Sequence, residues 1–122
     1  MFAIVDDPGV ADALLDPLPA GARRTGDPAK ADVVVCFTTA RAHLTTRLPQ
    51  LGEAIFPSRV LWVAWPKRAS GVATDVTEDV VREVALPLGL VDTKVAAIDA
   101  TWSGLRLVWR RELRTAGRRS RS

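Results

Sequence analysis

Asp32-Val33-Val34-Val35-Cys36-Phe37-Thr38-Thr39 decides the fold of this 122-residue chain. Five consecutive apolar residues with a β-branched run and a polar end read as a strand buried on both faces. Downstream, Leu44, Leu48, Leu51 and Ile55 recur at spacings of four, three and four, which is one face of a helix. Thr38 or Thr39 is placed to cap that helix, and Pro49 inside it predicts a kink or a break. Val60-Leu61-Trp62-Val63-Ala64-Trp65 follows as a second apolar strand ended by Pro66. A buried strand, a helix and a second buried strand make a βαβ unit, and the chain extends this pattern in both directions.

Upstream, Phe2-Ala3-Ile4-Val5 reads as a strand, and Asp7 and Pro8 start a helix that runs to Asp16. Residues 22–25 suggest a short edge strand. Downstream, Asp75 with Glu78 three residues later has the spacing of a capping box. Val76, Val80, Val84 and Leu88 share a helical face, and Gly89 closes that helix. Two further runs, from Lys94 to Asp99 and from Leu105 to Arg110, have no helix between them and should pair as an antiparallel hairpin. The expected architecture is an α/β three-layer sandwich with a mostly parallel sheet and a C-terminal antiparallel hairpin. It is a single domain over residues 1–114, with a basic, disordered tail over 115–122.

Charge supports that division. The net charge of +3 lies wholly in the tail, in Arg118, Arg119 and Arg121, while residues 1–114 hold 14 basic and 14 acidic groups. A balanced body argues against a nucleic-acid partner. No apolar run approaches the length of a membrane span, and the N-terminus lacks a basic n-region, so the expected location is the cytoplasm. One cysteine and one histidine exclude a zinc site made of thiolates and imidazoles.

Open α/β sheets bind ligands beyond the carboxyl ends of their strands. Three loops hold that position: residues 6–9, residues 38–39 and residues 65–71. The last precedes a helix, and its Lys67, Ser70 and Gly71 supply a charge, a hydroxyl and a turn suited to a small anion. The plainer reading is a solvated lysine and a turning glycine. Trp62 is expected in the core beneath the helices. Core is also the default for Trp65 and Trp102, which stand at element ends where an indole can cover a ligand, and Ser103 follows Trp102 directly. Gly21 to Gly26 has the gap of a P-loop, but Asp27 replaces its lysine, and no Gly-x-Gly-x-x-Gly follows the first strand. Cys36 reads as a small buried hydrophobe, and a Cys36–His43 dyad would require both at the strand end.

Trp62-Val-Ala-Trp65-Pro66-Lys67, then Ser70-Gly71-Val-Ala-Thr74-Asp75, then Asp99-Ala-Thr101-Trp102-Ser103-Gly-Leu105-Arg106 resemble the signature of a small, chiefly actinobacterial family without an assigned activity. Its layout is similar to the C-terminal half of class I S-adenosylmethionine (SAM)-dependent methyltransferases, which implies a Rossmann-like, methyltransferase-like fold with SAM as a possible cofactor. Two functions follow as expectations. The first is non-catalytic binding of a small anionic ligand or a protein partner. The alternative is a methyltransferase-related enzyme, with Lys67, Ser70, Asp75, Asp99 and Ser103 at the carboxyl ends of the strands.

Overall fold

The computed structural model describes residues 2–7 and 23–116. Five strands form one sheet: β1 (Phe2–Val5), β2 (Val33–Phe37), β3 (Val60–Pro66), β4 (Leu90–Ala97) and β5 (Trp102–Trp109), in the order β1-β2-β3-β5-β4. Pairing is parallel from β1 to β3 and antiparallel for β3 with β5 and β5 with β4. The expected hairpin is present, and because its second strand inserts beside β3 the sheet is mixed rather than mostly parallel. The carboxyl ends of β1, β2 and β3 and the start of β5 therefore share one edge of the sheet.

Helices α1 (Arg41–Ile55) and α2 (Glu78–Ala85) pack with the short α3 (Arg111–Ala116) on one core. Leu44, Leu48, Leu51 and Ile55 are buried on α1 against Val34, Leu61, Val63, Leu105 and Leu107 of the sheet. The helix over residues 8–16 falls outside the described residues. Expected strand 22–25 is reduced to one parallel bridge, Phe2 with Arg24. The tail boundary expected at residue 115 falls inside α3, which runs to Ala116. Among the described residues, no helix is long and apolar enough to cross a membrane.

Several local expectations change for physical reasons. Pro49 neither breaks nor ends α1. It lies on the exposed side, where solvent can satisfy the carbonyl that proline leaves free, while the apolar face holds the helix on the sheet. The cap of α1 is not a threonine side chain: Ala40 is the N-cap, and the first helical amide, Arg41 N–H, donates to Asp75 Oδ1 at 2.7 Å. Asp75 therefore does not cap α2. Thr77 does so, its hydroxyl accepting from Val80 N–H, which puts Glu78 inside the helix and paired with Arg82. The buried face of α2 centres on Val81 and Ala85, with Val80, Val84 and Leu88 at its margin. Trp62 is half-buried on the opposite face of the sheet, over Gly104, whereas Trp65 lies in the core beneath the helices.

Because Asp75 caps a helix 34 residues away, Asp75→Ala should destabilise the fold by about 1 kcal/mol. Amide exchange should then quicken at the start of α1, not at the start of α2. Faster exchange at α2 alone would return Asp75 to the role its spacing suggested.

Candidate functional site

Asp6 follows β1 with φ +57, a left-handed conformation that is uncommon outside glycine and that aspartate adopts more readily than most residues. This conformation carries its carboxylate towards α1. There Arg47 grips it with two parallel hydrogen bonds, Nε to Oδ2 at 2.8 Å and Nη2 to Oδ1 at 3.0 Å. His43, one helical turn earlier, brings Nε2 to 2.8 Å from Asp6 Oδ2 and Nδ1 to 2.8 Å from Thr38 Oγ1. The outcome is a chain Arg47–Asp6–His43–Thr38 across the carboxyl ends of β1 and β2.

The charge on Asp6 fixes the direction of the hydrogen bonds. The Arg47 guanidinium, aided by His43, holds the Asp6 carboxyl below the ordinary carboxylate range, so Asp6 is ionised and only accepts. A neutral imidazole must then place its proton on Nε2, towards Asp6, and its Nδ1 lone pair accepts from the Thr38 hydroxyl. Thr38 is 3% exposed, and its Oγ1 is also 3.4 Å from Ala40 N and 3.1 Å from Ala40 O. The hydroxyl therefore has two alternative acceptors, His43 Nδ1 and the Ala40 carbonyl.

This cleft, of about 230 Å³, is walled by Phe37 and Trp102, whose rings meet edge to face at 5.0 Å. His43 is 35% exposed on its rim. Cys36, just below, is fully buried, and burial pushes its thiol up to about 12, so it stays protonated and supplies no thiolate to His43.

The residues expected from sequence are divided between two places. Trp102 lines the His43 cleft; Gly71, with φ +80, lines a second cleft beside Trp65. Lys67 Nζ donates to the Asp99 carbonyl at 2.7 Å, and Ser70 Oγ donates to the Lys67 carbonyl at 2.6 Å. Ser103 lies within β5, paired with Trp65 and Ala97. Asp99 accepts from the amides of Thr101 and Trp102, the turn role open to it from sequence. Sequence reasoning put Asp6 and Thr38 in strand-end loops without joining them to His43, and it missed Arg47. The available signal was the lone histidine on the first turn of a helix fed by a buried strand, with an acidic residue closing the preceding strand.

The Asp6 network makes stability depend on pH. A carboxyl whose folded pKa is lowered stabilises the fold above its unfolded value, and that contribution is lost as pH falls through the folded one. Asp6→Asn should therefore destabilise at neutral pH, and its gap to the wild type should narrow on acidification below the ordinary 3.8. A gap that stays constant down to about pH 2 would show that Asp6 acts through shape rather than charge.

No family model and no curated protein matches the chain in sequence. Solved structures do match it in shape. Magnesium protoporphyrin IX methyltransferase from Synechocystis PCC 6803, solved with SAM bound, superposes with a TM-score of 0.54 at 15% identity, over 82% of this chain and 52% of that one. TnmH gives a TM-score of 0.54 at 15% identity, over 89% of this chain and 42% of that one. The chain thus spans about half the length of these neighbours or less. At such identity the likeness speaks for the fold, and it establishes a methyltransferase-like, Rossmann-type α/β domain with one mixed sheet.

Proposed function

We propose that this protein is an enzyme related in fold to SAM-dependent methyltransferases, acting at the carboxyl ends of its strands by acid–base chemistry at His43. The observation that carries this reading is the Asp6–His43–Thr38 chain at the sheet edge where such folds hold their ligands. Asp6 orients the one histidine of the chain at that edge and keeps its carboxylate charged beside it.

The geometry lets His43 accept a proton without leaving any group unpaired. In the neutral state Nε2–H donates to Asp6 and Thr38 O–H donates to Nδ1. After proton uptake Nδ1–H donates to Thr38 Oγ1, and the hydroxyl turns to the Ala40 carbonyl at 3.1 Å. Asp6, held by Arg47, stabilises the imidazolium. A small substrate with an acidic O–H or N–H would rest its apolar part on Phe37 and Trp102 and pass its proton to His43 directly or through Thr38.

SAM is the cofactor the fold implies, and the described residues do not form a complete seat for it. The cleft is about 230 Å³, below the roughly 300–1,000 Å³ of sites for drug-sized ligands. Both Asp6 carboxylate oxygens are already taken by Arg47 and His43.

The test uses the full chain with 4-nitrophenol, whose visible absorbance reports its ionisation. The wild type should raise the phenolate fraction at fixed pH and perturb the amide signals of Thr38, Thr39 and Trp102, and His43→Gln should lose the ionisation. An equal phenolate fraction with His43→Gln, or no perturbation at these residues, would overturn the reading. Perturbation of the same signals by SAM would overturn the conclusion on its seat.

A further inference from the structure

A second cleft, of about 420 Å³, opens on the helix-bearing face of the sheet, within the size range of small-molecule sites. Its lining is mixed: Val72 and the small exposed edge of Trp65 are apolar, while Thr74 and Thr77 from the segment that leads to α2 stand beside them. Val72 is 43% exposed, an uncovered apolar side chain at the mouth. Among the described residues, Arg68 is the cation that lines the cleft. Its guanidinium makes no hydrogen bond or ion pair among the described residues, whereas neighbouring Lys67 is tied to the Asp99 carbonyl.

The loop that carries these groups is fixed. Arg68–Ser70 forms a single 3-10 turn closed by Gly71 in a left-handed conformation. Thr74 Oγ1 donates to the Thr39 carbonyl at 2.6 Å, so the loop is fastened to the segment after β2. Thr39 lines the His43 cleft and Thr74 lines this one, which makes that hydrogen bond their common wall.

We propose that the second cleft binds a small carboxylic acid, with its ring or branched alkyl part against Val72 and the exposed edge of Trp65 and its carboxylate on Arg68. A guanidinium without a partner among the described residues, at the rim of such a cleft, matches a ligand with one flat anionic end, because the fork can take both carboxylate oxygens. Exposed Val72 favours an organic acid over a small inorganic anion, which gains nothing from it. This site is independent of the chemistry at His43, and either can fail alone.

Phenylacetate, phenylacetamide and inorganic phosphate, titrated separately into the full chain and followed by amide and indole NMR, test it. Phenylacetate should shift the Trp65 indole and the amides of 71–74. Its affinity should fall about tenfold with Arg68→Ala, the usual scale of one charge-assisted hydrogen bond. Arg68→Lys should fall between the two, and phenylacetamide should bind the wild type no better than phenylacetate binds Arg68→Ala. Arg68 is exposed and has no partner among the described residues, so these variants should keep the wild-type spectrum elsewhere. Equal affinity for acid and amide, unchanged affinity with Arg68→Ala, equal binding of phosphate, or shifts confined to the His43 cleft would each overturn the assignment.

Discussion

Trp109→Ala should destabilise the protein by about 3–5 kcal/mol, at the top of the range for truncating one core side chain. Trp109 ends β5, is 8% exposed and reaches across the core to the last turns of α1. Its indole N–H donates to the Gly52 carbonyl at 2.9 Å, and its ring meets Phe56 edge to face at 5.2 Å. Gly89 is a glycine partly because of it: a Cβ there would lie 3.0 Å from the indole ring and 2.5 Å from Leu113. Truncation therefore opens a cavity bounded by α1, β4 and the turn at Gly89. Trp109→Phe keeps most of the ring area but loses the donor to Gly52, and should cost about 1–2 kcal/mol. Urea unfolding at constant slope is the measurement. A loss below about 1 kcal/mol for Trp109→Ala would mean that β5 is not packed against α1 as described.

Leu48→Ala should cost about 2–5 kcal/mol, since Leu48 is fully buried where α1 crosses the sheet. Its neighbour gives the contrast. From sequence, Arg47 reads as an exposed helix residue whose removal costs well under about 1 kcal/mol. In the structure Arg47 is the bidentate partner of Asp6, and Arg47→Ala leaves a carboxylate with its principal counter-charge gone. The pair is partly exposed and screened by solvent, so the expected cost is about 1 kcal/mol, well below that of Leu48→Ala. Equal losses at the two positions would contradict the assignment of α1's buried face.

The main strands were legible because a strand buried on both faces has to be apolar throughout, as residues 33–37 and 60–65 are. The apolar face of α1 was legible from its periodicity, and Pro49 does not break the helix because propensity yields to packing. The caps were not legible. Asp75 has the right residue type and spacing for α2, yet its carboxylate serves Arg41, a partner that only the tertiary fold brings near. The candidate site failed in sequence on the same ground. Asp6, Thr38 and His43 lie up to 37 residues apart and meet only because β1 and β2 pair in parallel and end at one edge. Loop 67–71 drew attention because its residues are adjacent in sequence, whereas the hydrogen-bonded chain at His43 has no local motif.

If Asp6 sets His43 as a base aimed at Thr38, the tautomer of the neutral imidazole reports it directly. That tautomer is read from nitrogen shifts and ring couplings in 15N-histidine-labelled protein, a single-site label because the chain has one histidine. The proton should sit on Nε2, and in Asp6→Asn it should redistribute between the two nitrogens. A proton on Nδ1 in the wild type, or a tautomer indifferent to Asp6→Asn, would refute the role given to Asp6.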